Sequence, residues 1–444
     1  MIQQWLEKQQ KDEKSTGILL IKGYFLLIII CFLGLQLPFF QNEDASFIDH
    51  IFFSVSIVST TGLVPASFSQ TYNLGGQIFC LIFIQLGGIG YMALSSFVIV
   101  KSYKRLPNIS ARLLRFEFNL PERYPLLAFL YSVVIFTLLI EFIGAISLYY
   151  GFKSAGIEDA LWPAIFHSIS AFCTAGFSLY DDSITSFADN GIVSNTILIL
   201  SLLGSLGFIV LLDFSLRILR KRKSVTLTTK IILFSSTTFW LVAGFAIYLS
   251  DPTLISLGAK GLKQAFFQSI SAHTTVGFNS YNIGEINVAG IFVLILLMIV
   301  GASPAGTGGG IKTTSITAIF AVLKSILKRR KYITFLTKEI PSSNIYLAVS
   351  SSLFYFIILS LGTWIVLMIE DTTFTFEAIL FEVASALSTV GLTTGITGEL
   401  SSLSKLVISL LMFIGRIGVL TIGYALVSRA PIIRRKHIVE DIAI

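Results

Sequence analysis

The sequence predicts an all-α polytopic membrane protein: four pseudo-symmetric helix–pore-loop–helix repeats around one central pore, with eight transmembrane helices and four re-entrant half-helices. Three observations lead there. Hydrophobic residues make up 54% of the 444-residue chain and charged residues 13%, with a mean hydropathy of +0.82; a soluble domain carries about twice that charge. Several apolar runs exceed the ~20 residues that cross a bilayer. One pattern also occurs four times: FFSVSIVSTTGL (Phe52–Leu63), FHSISAFCTAGF (Phe166–Phe177), FQSISAHTTVGF (Phe267–Phe278) and FEVASALSTVGL (Phe381–Leu392). In every copy Phe stands ten residues before the glycine, Ser six before it and Thr two before it. The glycines, Gly62, Gly176, Gly277 and Gly391, recur at intervals of 114, 101 and 114 residues. Internal repetition at a steady period governs every other reading of a chain.

Each repeat opens with an apolar run: Ile18–Phe40, Pro125–Tyr150, Ile231–Ser250 and Ile345–Ile369. The motif segment follows and is too short to span. A second long run closes the repeat: Leu74–Val100, Ile192–Leu219, Val288–Leu327 and Leu403–Val427. The units are residues 1–110, 111–224, 225–335 and 336–444, the last with a short C-terminal tail. The net charge of +7 and pI near 9.2 do not point to nucleic acid, because the basic residues sit at the ends of apolar runs. They form Lys101–Arg105, Arg217–Lys223, Lys324–Lys331 and Ser428–Lys436, joined by Arg112, Arg115, Arg123, Lys230 and Lys338 in the links. The opposite ends carry Glu43, Asp44, Glu158, Asp159, Asp181, Asp182, Asp251, Glu285, Glu370, Asp371 and Glu399. The positive-inside rule then puts both termini and all inter-repeat links in the cytoplasm of a multi-pass protein in the lipid bilayer. Each motif segment dips in from outside and returns. No cleavable signal peptide is expected, since the first residues are polar and charged. Cys31, Cys80 and Cys173 lie in or beside apolar segments, so no disulfide framework is expected.

Non-helical backbone at membrane depth must be buried in protein or line water. Four such loops satisfy that together around one axis. Glycine permits a tight turn with positive φ, and four such turns can aim carbonyl oxygens at a shared axis, which is what a dehydrated alkali cation requires. The half-helices point negative dipole ends the same way. The binding residues are thus Thr60, Thr61 and Gly62; Thr174, Ala175 and Gly176; Thr275, Val276 and Gly277; and Thr389, Val390 and Gly391. No carboxylate occurs among these twelve residues, which disfavours a multivalent-cation ring.

A second stretch, GASPAGTGGGIKTTS (Gly301–Ser315), interrupts the third repeat's second run. Five glycines and a proline cannot continue a regular helix. Gly87–Gly90, Gly204–Gly207 and Gly415–Gly418 are milder versions at matching places. The segment lacks the Gly-Lys-Ser/Thr order of a phosphate-binding loop and follows a membrane run, so no nucleotide is expected on this chain. Its glycine content predicts a flexible, leaky loop, with more basal flux than a Gly308→Ala/Gly309→Ala variant.

Four Thr-x-Gly motifs, each between two spans, resemble the Trk/Ktr/HKT superfamily of potassium transporters, from Ile18 to about Lys436. CTAGFS (Cys173–Ser178), VGFNS (Val276–Ser280) and FIGRIG (Phe413–Gly418) are most similar to the bacterial Ktr membrane subunit. The resemblance implies potassium uptake across a bacterial cell membrane through a selectivity filter, with sodium as a coupling ion or, in the alternative, a sodium-selective or non-selective cation transporter of the same fold. Glycine rather than serine in the first loop, Gly62, implies potassium. It also implies a gate formed by Gly301, Ala302, Ser303, Pro304, Ala305, Gly306, Thr307, Gly308, Gly309 and Gly310 with Lys312 and Arg416. Arg416 would repel a cation or hydrogen-bond the loop carbonyls. The expected partners are a second copy, making a homodimer, and a cytoplasmic RCK/KTN-type regulatory subunit that binds ATP or ADP, with NAD(H) a further candidate there. No enzyme is expected: the chain lacks HExxH, GxSxG and DDxxD. Glu141 reads as a buried, hydrogen-bonded carboxylate between helices in preference to an ion-path group. Asp213 and Arg217 read as a structural i,i+4 pair, and His273 as a residue without a metal role.

Overall fold

The computed structural model describes residues 2–118, 120, 124–220, 224–336 and 338–426. Arg123, Lys221–Lys223 and Ser428–Lys436 of the predicted topology signals lie outside these residues.

The order long helix, short helix, broken helix occurs four times. The long helices are Ile2–Leu35, Leu126–Ser154, Leu227–Ser250 and Ser342–Glu370. They turn large apolar side chains outward, among them Phe25, Leu26, Leu138, Phe142, Phe245 and Trp364, as helices that face lipid do. The short helices are Phe47–Ser59, Leu161–Phe172, Ala259–Thr274 and Phe376–Leu387, and their inner faces are almost wholly buried.

The second runs are not continuous. Leu74–Ile89 and Tyr91–Tyr103 meet at 89°, and Gly191–Leu206 and Phe208–Ile218 at 92°. The third separates into Val288–Ile299 and Thr313–Leu327, the fourth into Ser402–Ile417 and Val419–Leu426. Gly90, Gly207 and Gly418 sit at three of the breaks with φ of 88°, 87° and 93°, a region open to glycine and strained for other residues. Among the described residues, four helices are therefore long and apolar enough to cross a membrane, or six if each sharply bent pair counts as one span. The breaks fall within the glycine clusters singled out in the sequence, Gly87–Gly90, Gly204–Gly207, Gly301–Ser315 and Gly415–Gly418; the sharpness of the bends was not expected, because an apolar run does not reveal an angle. Each second run also starts on a side-chain cap: Asn73, Asn190, Asn287 and Ser401 accept N–H bonds from the first turn.

Packing closes the structure on itself. Each short helix packs against the broken helix of the preceding repeat: Leu161–Phe172 on Leu74–Ile89, Ala259–Thr274 on Gly191–Leu206, Phe376–Leu387 on Val288–Ile299, and Phe47–Ser59 on Ser402–Ile417. The last contact joins the ends of the chain, and Lys405 Nζ pairs there with Asp49 Oδ1 at 2.9 Å. One departure from all-α structure is a small antiparallel hairpin, Thr334–Phe335 with Lys338–Glu339, in the third link. All three cysteines are free and buried.

Candidate functional site

The four short helices end in the same way. Thr60, Thr174, Thr275 and Thr389 take φ of 54°, 50°, 56° and 52°. Left-handed backbone at a β-branched residue is a true outlier and costs on the order of 1–3 kcal/mol each. Tight capping holds it in place. The N–H of the next residue (Thr61, Ala175, Val276, Val390) donates to the carbonyl of Ser56, Ser170, Ser271 or Ser385 at 2.9, 2.8, 3.1 and 2.9 Å. The repeated serine braces the turn a second time. Ser56 Oγ and Ser385 Oγ accept from Gly62 and Gly391 N–H at 3.1 and 3.0 Å, while Ser170 and Ser271 Oγ donate to the carbonyls of Phe177 and Phe278, at 2.8 and 2.5 Å.

The glycines that follow have φ of 92°, 68°, 86° and 91°, and they touch one another's loops. A Cβ on Gly62 would lie 2.3 Å from the Ala175 carbonyl oxygen, on Gly176 2.3 Å from that of Val276, on Gly277 2.1 Å from that of Val390, and on Gly391 2.1 Å from that of Thr61. Both the φ and the space exclude any side chain. The contacts run from the first loop to the second, third, fourth and back to the first. The structure thus brings together all twelve residues read from the motif.

The segment Gly301–Gly310 lies against these loops. Thr307 Oγ1 accepts from Thr174 Oγ1 at 3.0 Å and donates to the Phe172 carbonyl at 3.3 Å. Gly309 N–H donates to Thr275 Oγ1 at 3.2 Å. A Cβ on Gly308 would meet Thr275 Oγ1 at 2.1 Å, and one on Gly309 would meet Thr389 Oγ1 at 2.5 Å. The backbone N–H groups of Ser303, Thr307 and Ala302 bond the carbonyls of Ser205, Gly204 and Gly309. Lys312 Nζ donates to the Gly308 carbonyl at 2.7 Å. Arg416 completes the set: its guanidinium donates to Thr60 Oγ1 at 3.1 Å, to the Gly88 carbonyl at 3.1 Å, and to the carbonyls of Gly87 and Thr307. Each of the four left-handed threonines is therefore reached by the segment, three directly and Thr60 through Arg416.

From the sequence, the second-run glycines are legible as helix breaks, and what they touch is missed. Gly87, Gly204 and Gly415 let the broken helices approach the carbonyls of Val58, Phe172 and Leu387; an added Cβ would lie 2.0–2.2 Å away. Each of those carbonyls is four residues before a loop glycine, a register that aligning the breaks with the motif would have disclosed. Gln85 Nε2 donates to both Glu141 carboxylate oxygens, at 3.0 and 2.8 Å, and Cys173 Sγ to Gln85 Oε1 at 3.2 Å. Glu141 is thus buried and bonded between helices. Asp213 accepts from Thr226 N–H at 3.1 Å and from the hydroxyls of Thr226 and Thr229 at 2.5 and 2.6 Å, fixing the start of the next long helix. His273 Nδ1 accepts from Trp240 Nε1 at 3.0 Å.

Residues 4–431 match the family described as TrkH, cation transport protein. The chain is 32% identical over 435 residues to "Ktr system potassium uptake protein B" of Vibrio alginolyticus, covering 95% of this chain and 94% of that protein. It is 30% identical over 438 residues to "Potassium/sodium uptake protein NtpJ" of Enterococcus hirae, covering 96% of each. In fold it is similar to the crystal structure of the potassium transporter TrkH from Vibrio parahaemolyticus, with a TM-score of 0.74 at 18% identity, over 93% of this chain and 85% of that one.

Proposed function

We propose, from the premise that this chain belongs to the TrkH family of cation transport proteins, that it takes up potassium across a bacterial cell membrane through one pore at the centre of four repeats. The closed cycle of glycine-to-carbonyl contacts carries this reading. Close approach without side chains leaves backbone oxygen as the chemistry facing the axis, and a ring of carbonyl oxygens can replace the hydration shell of a monovalent cation. The residues Thr60–Gly62, Thr174–Gly176, Thr275–Gly277 and Thr389–Gly391 act as the filter. The half-helices end on these turns and direct their negative dipole ends at the space behind them.

Gly301–Gly310 acts as the gate, anchored by Lys312 and Arg416. Two cationic side chains beside the path oppose an entering cation, and Arg416 ties the first filter loop to the Thr307 carbonyl. The chain works as a homodimer, with both termini in the cytoplasm and with ATP or ADP bound on a separate regulatory subunit rather than here.

A second reading, transport of sodium alongside potassium, has one support: the relative named for both ions matches over nearly its whole length. Growth in low-potassium medium of a bacterial strain lacking its own uptake systems separates the two. Wild type rescues growth and Gly277→Asp abolishes rescue, since the new carboxylate enters a site with no room for a Cβ. Gly62→Ser makes rescue sodium-sensitive. Absence of rescue by wild-type protein present in the membrane, with a Ktr-type regulatory subunit co-expressed, overturns potassium uptake and turns attention to sodium flux.

A further inference from the structure

The position nine residues before each loop glycine carries Phe53, His167, Gln268 or Glu382. All four side chains are buried, and three are polar. Each polar one can turn an accepting atom to the backbone N–H three residues after the glycine. Leu179 N–H donates to His167 Nε2 at 3.4 Å. With the Gln268 amide turned so that its oxygen faces them, Ser280 N–H donates to Oε1 at 2.8 Å and Tyr281 N–H at 3.2 Å. Thr394 N–H is directed at the Glu382 carboxylate. His167 is held in the accepting tautomer because its Nδ1–H donates to the Pro163 carbonyl at 2.8 Å. Glu382 also takes the hydroxyls of Thr393 and of Thr397, the latter at 3.2 Å from each carboxylate oxygen.

The first repeat lacks both halves of this bond. Phe53 has no acceptor, and the residue three after Gly62 is Pro65, which has no N–H. Phe53 packs against Phe68 and Tyr72 instead, at centroid distances of 6.2 and 5.1 Å. Acceptor and donor are present together in three repeats and absent together in one, so neither is left buried and unsatisfied.

We infer that His167, Gln268 and Glu382 are positioning residues for ion selectivity: each pins the outgoing strand of its filter loop to the half-helix behind it, and the first loop is held without this brace. The inference rests on the filter reading above. Chemically different side chains (an imidazole, an amide and a carboxylate) share one property, an accepting atom at one point, which is what a geometric brace requires. A carbonyl ring discriminates between potassium and the smaller sodium only while its strands resist closing inward. A strand cut loose at its outer end lets its carbonyls follow the smaller ion.

The test compares initial potassium and sodium uptake by the full chain in proteoliposomes, normalised to inserted protein. Gln268→Met, which keeps length and volume but not the acceptor, and Glu382→Leu each lower the potassium-to-sodium ratio roughly tenfold, the scale of one lost buried hydrogen bond. Glu382→Gln retains an oxygen for Thr394 N–H and stays within about twofold of wild type by the same reckoning. Phe53→Leu leaves the ratio unchanged, since there is no bond to lose. Wild-type ratios in Gln268→Met and Glu382→Leu, beside a lowered ratio in Gly277→Ser, overturn the brace and leave the filter standing. A wild-type ratio in Gly277→Ser as well overturns the filter reading and the brace with it. Should Glu382→Leu not insert, Gln268→Met decides alone.

Discussion

Gly308 and Gly309 are glycine because of what they face. Flexibility alone predicts a loose segment, one that alanine would tighten. The distances argue the reverse: a methyl group on either residue falls within 2.5 Å of a threonine hydroxyl oxygen, so the segment must withdraw from the Thr-x-Gly loops. Gly308→Ala/Gly309→Ala is expected to raise basal potassium flux in liposomes, and Arg416→Gln, which releases the Thr307 carbonyl, to raise it about tenfold, the scale of one charge-assisted hydrogen bond. Lower flux in both variants would reverse the role given to this segment. The threonines in left-handed backbone make the related point that local cost is accepted where surrounding bonds over-determine the conformation.

Among the elements, the short helix Phe47–Ser59 has the most exposed task, since its packing on Ser402–Ile417 joins the two ends of the chain. Asp49 and Lys405 are 18% and 12% exposed there. Burial raises the Asp49 carboxyl pKa, but Lys405 and Ser46 outweigh it and hold the group below its usual range. A carboxyl whose folded pKa is depressed adds stability above its unfolded pKa, near 3.9, and loses it as pH falls through the folded value. Lys405→Met is therefore expected to cost about 1 kcal/mol at about pH 7 and almost nothing at a pH well below the folded value. Thermal unfolding in detergent at the two pH values measures this. An equal loss at both would assign the effect to packing of the lysine stem.

For the whole molecule, the contacts form a cycle in which every repeat supports the next. The family and the outward-facing apolar helices place such a unit in a membrane, and the proposed assembly is a pair of them. Light scattering in detergent is expected to give the mass of two chains, about twice 48.8 kDa after detergent correction. A single-chain mass would remove the homodimer while leaving the proposed pore within each chain untouched.

Much of this was legible in one dimension. Four copies of Ser-x-x-x-Thr-x-Gly located the loops and named all twelve residues that the structure assembles, because a turn needing positive φ in a crowded place admits little but glycine. The apolar runs located the long helices, because length and hydropathy measure bilayer crossing directly. FIGRIG marked Arg416 because a charge within an apolar run needs a partner. What only the tertiary structure decided were the relations between loops. Hydropathy could not show that two of the second runs bend by about a right angle at single glycines, since a bend leaves composition unchanged. Nor does local sequence state that Gly62 faces Ala175 or that Gly309 bonds Thr275. Those pairs lie up to 113 residues apart and exist because four packed helices bring their ends to one place. Glycine composition alone suggested looseness, and packing assigned the same residues to close contact.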